Sequence, residues 1–168
     1  NKEQELFTIQ AFLSEPGMTS YMIRNALKYA MNDTSLQNAY VGFDTGRFLL
    51  DDLEAETGAR ENGYDPRTRN WYQAALSANE PVLLNPYVTT DVSQRVVVTM
   101  SMPYVNRGKI RGVLGIDTTV GHLETLMRKV PVPDNSQVMM IDGDGQILAH
   151  TKDGYQLKNI DIFSDEVH

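Results

Sequence analysis

Leu6, Ile9, Phe12 and Leu13 recur at helical spacing across Lys2–Leu13, and Pro16-Gly17 stops the run. A second helical segment follows, with Met18, Tyr21, Met22, Asn25, Ala26 and Tyr29 expected on its apolar side and Asn32-Asp33 at its end. The period then falls to two. Residues 39–43 and 47–50 read as short strands joined by Asp44-Thr45-Gly46, a hairpin turn in which glycine supplies the positive φ. Residues 51–63 are polar, acidic and glycine-punctuated, and are expected to form a loop. Residues 81–88 carry Pro86 and suit an edge strand, with Tyr87 and Thr89 on one face. The clearest alternation lies in 95–105, where Val96, Val98, Met100, Met102 and Tyr104 alternate with Arg95, Val97, Thr99 and Ser101. Asn106-Arg107-Gly108-Lys109 turns that strand into 110–118, where Ile110, Leu114 and Ile116 face one way and Val113, Gly115 and Asp117 the other. These two strands are expected at the centre of an antiparallel sheet.

Residues 120–129 have a helical apolar pattern, and Pro131-Val132-Pro133-Asp134 forms a stiff connector. Beyond it, residues 138–148 repeat the strand, acidic glycine turn and strand of 39–49, so a second module is expected to start there and to be incomplete within 168 residues. The expected division is 1–33 for the N-terminal helices, 34–130 for the main module, and 131–168 for the linker and the partial second module.

Charge narrows the functional classes. Fifteen Lys+Arg against 22 Asp+Glu give a formal charge of -7, which repels phosphate backbones and disfavours a nucleic-acid partner. With no cysteine, the chain has neither a disulfide scaffold nor a cysteine-based metal or redox site. His122, His150 and His168 have no metal-ligand spacing, and no Walker or dinucleotide loop occurs. Asp142-Gly143-Asp144-Gly145 opens like a calcium loop, but the later ligand positions of an EF-hand are missing, so a hairpin turn is the reading adopted. No catalytic residue, metal or cofactor is expected.

The densest chemistry is in residues 64–72, Tyr-Asp-Pro-Arg-Thr-Arg-Asn-Trp-Tyr, which hold two arginines, two tyrosines and the only tryptophan. Asn70 followed by Gln73 predicts a capping box for a helix beginning at Trp71. The ordinary reading of Arg67 and Arg69 is a solvated salt bridge to the acidic stretch before them, and that of Trp71 and Tyr72 is core packing. Asp117 resists so plain a reading, because a carboxylate at the end of an apolar strand is costly unless it is paired. If Arg69 faces Asp117 across a pocket lined by Tyr64, Trp71, Tyr72 and Tyr87, the site has a cationic pole, an anionic pole and aromatic walls. A zwitterion matches both poles, its carboxylate on Arg69 and its ammonium on Asp117.

The Asp-Pro-Arg-Thr-Arg-Asn-Trp-Tyr-Gln-Ala-Ala segment, the Val-Thr-Met-Ser-Met-Pro-Tyr strand and Gly112-Val113-Leu114-Gly115-Ile116-Asp117 together resemble the double-Cache sensor domains of bacterial methyl-accepting chemotaxis proteins. The resemblance covers residues 39–129. It implies an α+β, PAS-like Cache module with an antiparallel β-sheet flanked by N-terminal helices, followed by the start of a smaller PAS-like module. It also implies a fragment of a membrane-anchored chemoreceptor, lying outside the cytoplasmic membrane, that pairs as a homodimer through its N-terminal helices and binds without catalysis. The amino-acid-binding members are similar at Tyr64, Arg69, Trp71, Tyr72, Tyr87 and Asp117, which implies Arg69 and Trp71 at the ligand carboxylate and Tyr87 and Asp117 at its amino group. Where many members carry an acid, this chain has Thr89, with Asp91 two residues on. The same fold heads histidine kinases and diguanylate cyclases, and an organic acid or an amine is the alternative ligand.

Overall fold

Two amphipathic helices lead the chain because each offers a narrow aliphatic stripe to one sheet. α1 (Lys2–Leu13) buries Leu6, Ile9 and Leu13, while Phe12 on its edge stays exposed. α2 (Ser20–Ala30) starts where the Thr19 side chain accepts the Met22 N–H, and it buries Ile23 and Leu27. This corrects the face expected from the sequence. Tyr21 and Tyr29 are 71% and 76% exposed, and Met22 is exposed as well. The branched aliphatics four residues apart pack against the sheet, and the tyrosines keep their hydroxyls in water.

The computed structural model describes residues 2–88, 96–133, 136–152, 154–155 and 157–166. Its main sheet contains β1 (Leu36–Phe43), β2 (Phe48–Leu50), β3 (Val82–Leu83), β4 (Tyr87–Val88), β5 (Val96–Asn106) and β6 (Lys109–Thr119). The path across it is β2-β1-β6-β5-β3, and β4 pairs with the start of β5. β1 runs antiparallel to both neighbours, with Tyr40 opposite Leu50 on β2 and Gly115 on β6. Both expected hairpins are present. Gly46 at φ 85° turns β1 into β2, and Arg107 and Gly108, at φ 51° and 72°, turn β5 into β6.

Strand alternation sorts the core into two faces. Ala39, Val41, Met102, Tyr104, Leu114 and Ile116 pack with the aliphatic stripes of α1 and α2. On the opposite face Tyr40, Leu50 and Val113 pack with Trp71, Tyr72 and Ala75 of α4 (Asn70–Ala78). The expected fold class is as found.

Residues 51–63 are not a loop. They contain α3 (Leu53–Glu61), whose N-cap Asp52 accepts from the Glu54 and Ala55 N–H groups. Glu54 and Glu56 in its first turn and Arg60 in its last suit the helix dipole. An apolar stripe is not what holds it. Glu56, 8% exposed, receives Arg24 of α2 at 2.8 Å and the Leu50 N–H at 3.1 Å.

The chain forms two compact units, residues 1–84 with 99–118, and residues 85–98 with 119–168. The second unit contains β4, the start of β5, α5 (Val120–Met127), the hairpin of β7 (Met139–Ile141) with β8 (Ile147–His150), and a final 3₁₀ segment over Ile160–Glu166. Val120, Met127 and Ala149 form its buried cluster, with Val96, Val98, Val138 and Met140 against them. His122 has its place in α5, whereas His150 is buried beside the rings of Tyr155 and Phe163. His168 lies outside the described residues, as do Asp91 and Asp134.

Candidate functional site

The approach to Trp71 is built by local turns. Asp65 is extended at φ -110°, and its carboxylate accepts the Arg67 N–H, opening a 3₁₀ turn over Pro66–Thr68. Arg69 then returns to extended backbone at φ -89°, ψ 146° and is itself the N-cap of α4, without a side-chain cap bond. The expected Asn70–Gln73 capping box is therefore not formed. Asn70 lies inside the helix, and Gln73 Nε2 instead donates to the Arg67 carbonyl at 3.2 Å. The first helical turn spends its side-chain amide on the preceding turn, and Arg69 is left at the bend.

Arg67 and Arg69 part ways here. Arg67 is exposed and donates to Asp65 at 2.7 Å, which holds the Asp65 carboxyl below the usual carboxylate range. It has the ordinary reading, a solvated pair. Arg69 is half-buried, its guanidinium carbon lies 4.3 Å from the centroid of the Tyr64 ring, and its buried Nε has no hydrogen-bond partner among the described residues. Guanidinium over an aromatic face is favourable, and it leaves the planar edge available to a carboxylate.

Tyr64 links the two halves of the site. Its hydroxyl accepts the Trp71 indole N–H at 3.2 Å, and its ring lies 4.7 Å from Phe48. Burial pushes the Tyr64 phenol up, the Trp71 hydrogen bond opposes that, and the charges of Arg69 and Asp117 both act on it. Trp71 is 4% exposed and meets the Tyr40 ring edge-on at 4.9 Å. Gly42 makes room for this packing, since a Cβ there would lie 2.9 Å from the indole and 2.6 Å from Pro66.

Asp117 is 4% exposed on the same sheet face. Its Oδ1 accepts the Tyr40 hydroxyl at 2.8 Å from β1 and the Thr99 hydroxyl at 2.5 Å from β5. Ser101, also on β5, donates to the Trp71 carbonyl at 2.9 Å and ties α4 to the sheet. Arg69 and Asp117 form no ion pair with each other among the described residues.

Of the expected residues, Tyr64, Arg69, Trp71 and Asp117 come together in the first unit. Tyr72 is buried against the Trp71 ring at 5.6 Å, and burial raises its phenol. Tyr87 is in the second unit, where it pairs with Val97. Thr89 lies outside the described residues. Sequence reasoning missed Tyr40, Thr99, Ser101 and Gly115. The signal was present for two of them, because Thr99 and Ser101 are hydroxyls on the inward side of the most apolar strand.

Two open depressions lie elsewhere. One, of about 310 Å³, is at the hairpin end by Arg47, Tyr104 and Arg111, and the other, of about 950 Å³, lies between α1 and α2. Among the described residues no cluster of acidic or histidine side chains could hold a metal, and no helix is long and apolar enough to cross a membrane.

With this geometry in place, comparison with known proteins is decisive for the family. Residues 3–125 match the family of methyl-accepting chemotaxis protein-like domains described as the first PDC sensor domain. The chain belongs to this family. The methyl-accepting chemotaxis protein PscA of Pseudomonas syringae pv. tomato is 29% identical over 138 residues, which are 82% of this chain and 21% of that protein. Adenylate cyclase 1 of Rhizobium meliloti is 30% identical over 97 residues, 58% of this chain and 14% of that one. The ligand-binding domain of the Pseudomonas aeruginosa PAO1 amino-acid chemoreceptor PctC, solved with GABA, superposes with a TM-score of 0.80 over 96% of this chain and 70% of that one, at 23% identity. That likeness shows the shared fold. The chain spans about a fifth of the length of PscA.

Proposed function

We propose that this PDC sensor domain binds a small zwitterion, an L-amino acid, between Arg69 and Asp117. One observation carries the reading. The half-buried Arg69 guanidinium lies over the Tyr64 ring beside Trp71, with its Nε unpartnered among the described residues, on the sheet face that also carries the buried Asp117. A ligand with a carboxylate and an ammonium satisfies both poles. Arg69 and Trp71 receive the carboxylate, Asp117 receives the ammonium, and Tyr64 and Tyr72 frame the aromatic wall. The PctC domain solved with GABA supports the ligand class, since GABA also carries both charges.

On this reading the chain is the extracytoplasmic sensor of a membrane-anchored chemoreceptor that signals to the chemotaxis machinery, and it acts by binding. Ligand occupancy shifts a two-state arrangement, for which a coupling of about 1–3 kcal/mol is sufficient. Residues 34–130 form the sensing module, and 131–168 belong to the linker and a membrane-proximal module. The exposed Phe12 and Tyr29, which line the cleft between α1 and α2, suit a homodimer through the N-terminal helices. The adenylate cyclase relative favours a second reading for the output, the same sensor heading a nucleotide-signalling enzyme.

A thermal-shift screen of the common L-amino acids, organic acids and amines tests the ligand class. An amino acid at 100 times its dissociation constant stabilises by about 2.7 kcal/mol. Arg69→Ala and Asp117→Ala each remove the shift. A shift retained in both variants refutes the site.

A further inference from the structure

Asp117 is held from both sides of its own strand, and the register explains how. On β1, Asn38 stands opposite Asp117 and Tyr40 stands opposite Gly115. Tyr40 therefore reaches Asp117 diagonally, two residues along β6, and its ring must lie across Gly115 to do so. Glycine is what permits this. A Cβ at position 115 would lie 2.3 Å from Tyr40 Cε2 and 2.7 Å from Cζ, inside any real contact. From the other neighbouring strand, Thr99, fully buried, brings its hydroxyl to the same Oδ1. Both hydroxyls donate to a single carboxylate oxygen, so the plane of the carboxylate is fixed by the sheet itself.

Neutral hydroxyl donors suit an acid that must meet a cationic ligand. As neutral donors they orient the carboxylate by hydrogen bonding and bring no charge of their own. We infer that Tyr40 and Thr99, with Gly115 as the gap that admits the tyrosine, are positioning residues for ammonium recognition, holding the Asp117 carboxylate in a fixed orientation. The inference rests on the amino-acid reading above and extends it to three sheet residues that the reading did not use.

The test uses isothermal titration of the best-stabilising amino acid from the screen into the wild-type chain and into Tyr40→Phe, Thr99→Val, Thr99→Ser and Gly115→Ala, with a melting curve for each unliganded variant. Tyr40→Phe and Thr99→Val keep the shape and remove one donor each, and each weakens binding by roughly tenfold or more. Thr99→Ser keeps the hydroxyl and binds clearly more tightly than Thr99→Val. Gly115→Ala, which displaces Tyr40, weakens binding at least as much as Tyr40→Phe. The inference is overturned if Thr99→Ser loses binding together with Thr99→Val, because the methyl packing and not the hydroxyl is then at work. It is overturned equally if Tyr40→Phe and Thr99→Val, melting as wild type does, bind the amino acid unchanged. If wild type binds no amino acid at all, the ligand reading fails first, and that result is distinguishable because it appears without any substitution.

Discussion

At the scale of single residues, the chain shows how a two-residue separation changes the role of an arginine. Arg67 and Arg69 are indistinguishable by composition, yet the 3₁₀ turn over Pro66–Thr68 sends the first to solvent and the second over Tyr64. Asp117 and Trp71 were legible in the sequence because burial makes a polar group in an apolar strand and a lone indole conspicuous. Tyr40 was not, because its role depends on a glycine on another strand that only the pairing register identifies. Glu56 offers a direct test of buried charge. Its side chain and that of Arg24 are 10% and 14% exposed, so Glu56→Ala strands the guanidinium and the Leu50 N–H and should cost about 3–5 kcal/mol in urea unfolding. Asp51 behaves in the opposite sense. Burial raises its carboxyl, while its bond from the Ala39 N–H opposes the rise. A folded value above the unfolded one of about 3.9 means that the penalty is absent in acid and grows as pH rises through the folded value. Asp51→Asn should therefore raise the melting temperature at pH 7 and leave it unchanged near pH 3. A gain of equal size at both pH values would contradict this.

Among elements, the strands and hairpins were legible almost residue for residue, because alternation, acidic glycine turns and Arg107-Gly108 each carry a local mechanism. α3 was not, since it is fastened by a cap and an ion pair and has no apolar stripe to read. Its dependence on the cap is measurable. Asp52→Ala should destabilise by about 1 kcal/mol, seen as a lower urea midpoint with unchanged slope. The end of α4 offers a converse case. Asn79 closes that helix at φ 56°, a conformation in which glycine carries no steric penalty. Asn79→Gly should be neutral or slightly stabilising, and a loss of about 1 kcal/mol or more would show that its side chain has a further role. The α2 face was misread for a physical reason as well. Helical spacing allowed two stripes, and aromatic residues were given the core where the sheet instead takes Ile23 and Leu27.

For the molecule as a whole, membership of the PDC sensor family and the proposed two-pole site at Arg69 and Asp117 point to the same role. Apolar side chains left exposed on α1 and α2, Phe12 and Tyr29 among them, predict self-association through those helices. Sedimentation should give a dimer for the wild-type chain and a monomer for Tyr29→Glu with Phe12→Glu, with melting temperature little changed. The central claim, however, is that one ligand bridges Arg69 and Asp117. Its most direct measurement is isothermal titration of the best-stabilising L-amino acid beside its decarboxylated amine and its deaminated acid. Charge-assisted hydrogen bonds of about 1.5–3 kcal/mol at each pole predict that either analogue binds roughly tenfold to a hundredfold more weakly than the amino acid. An analogue missing one charged group that binds as tightly as the amino acid would contradict the two-pole site.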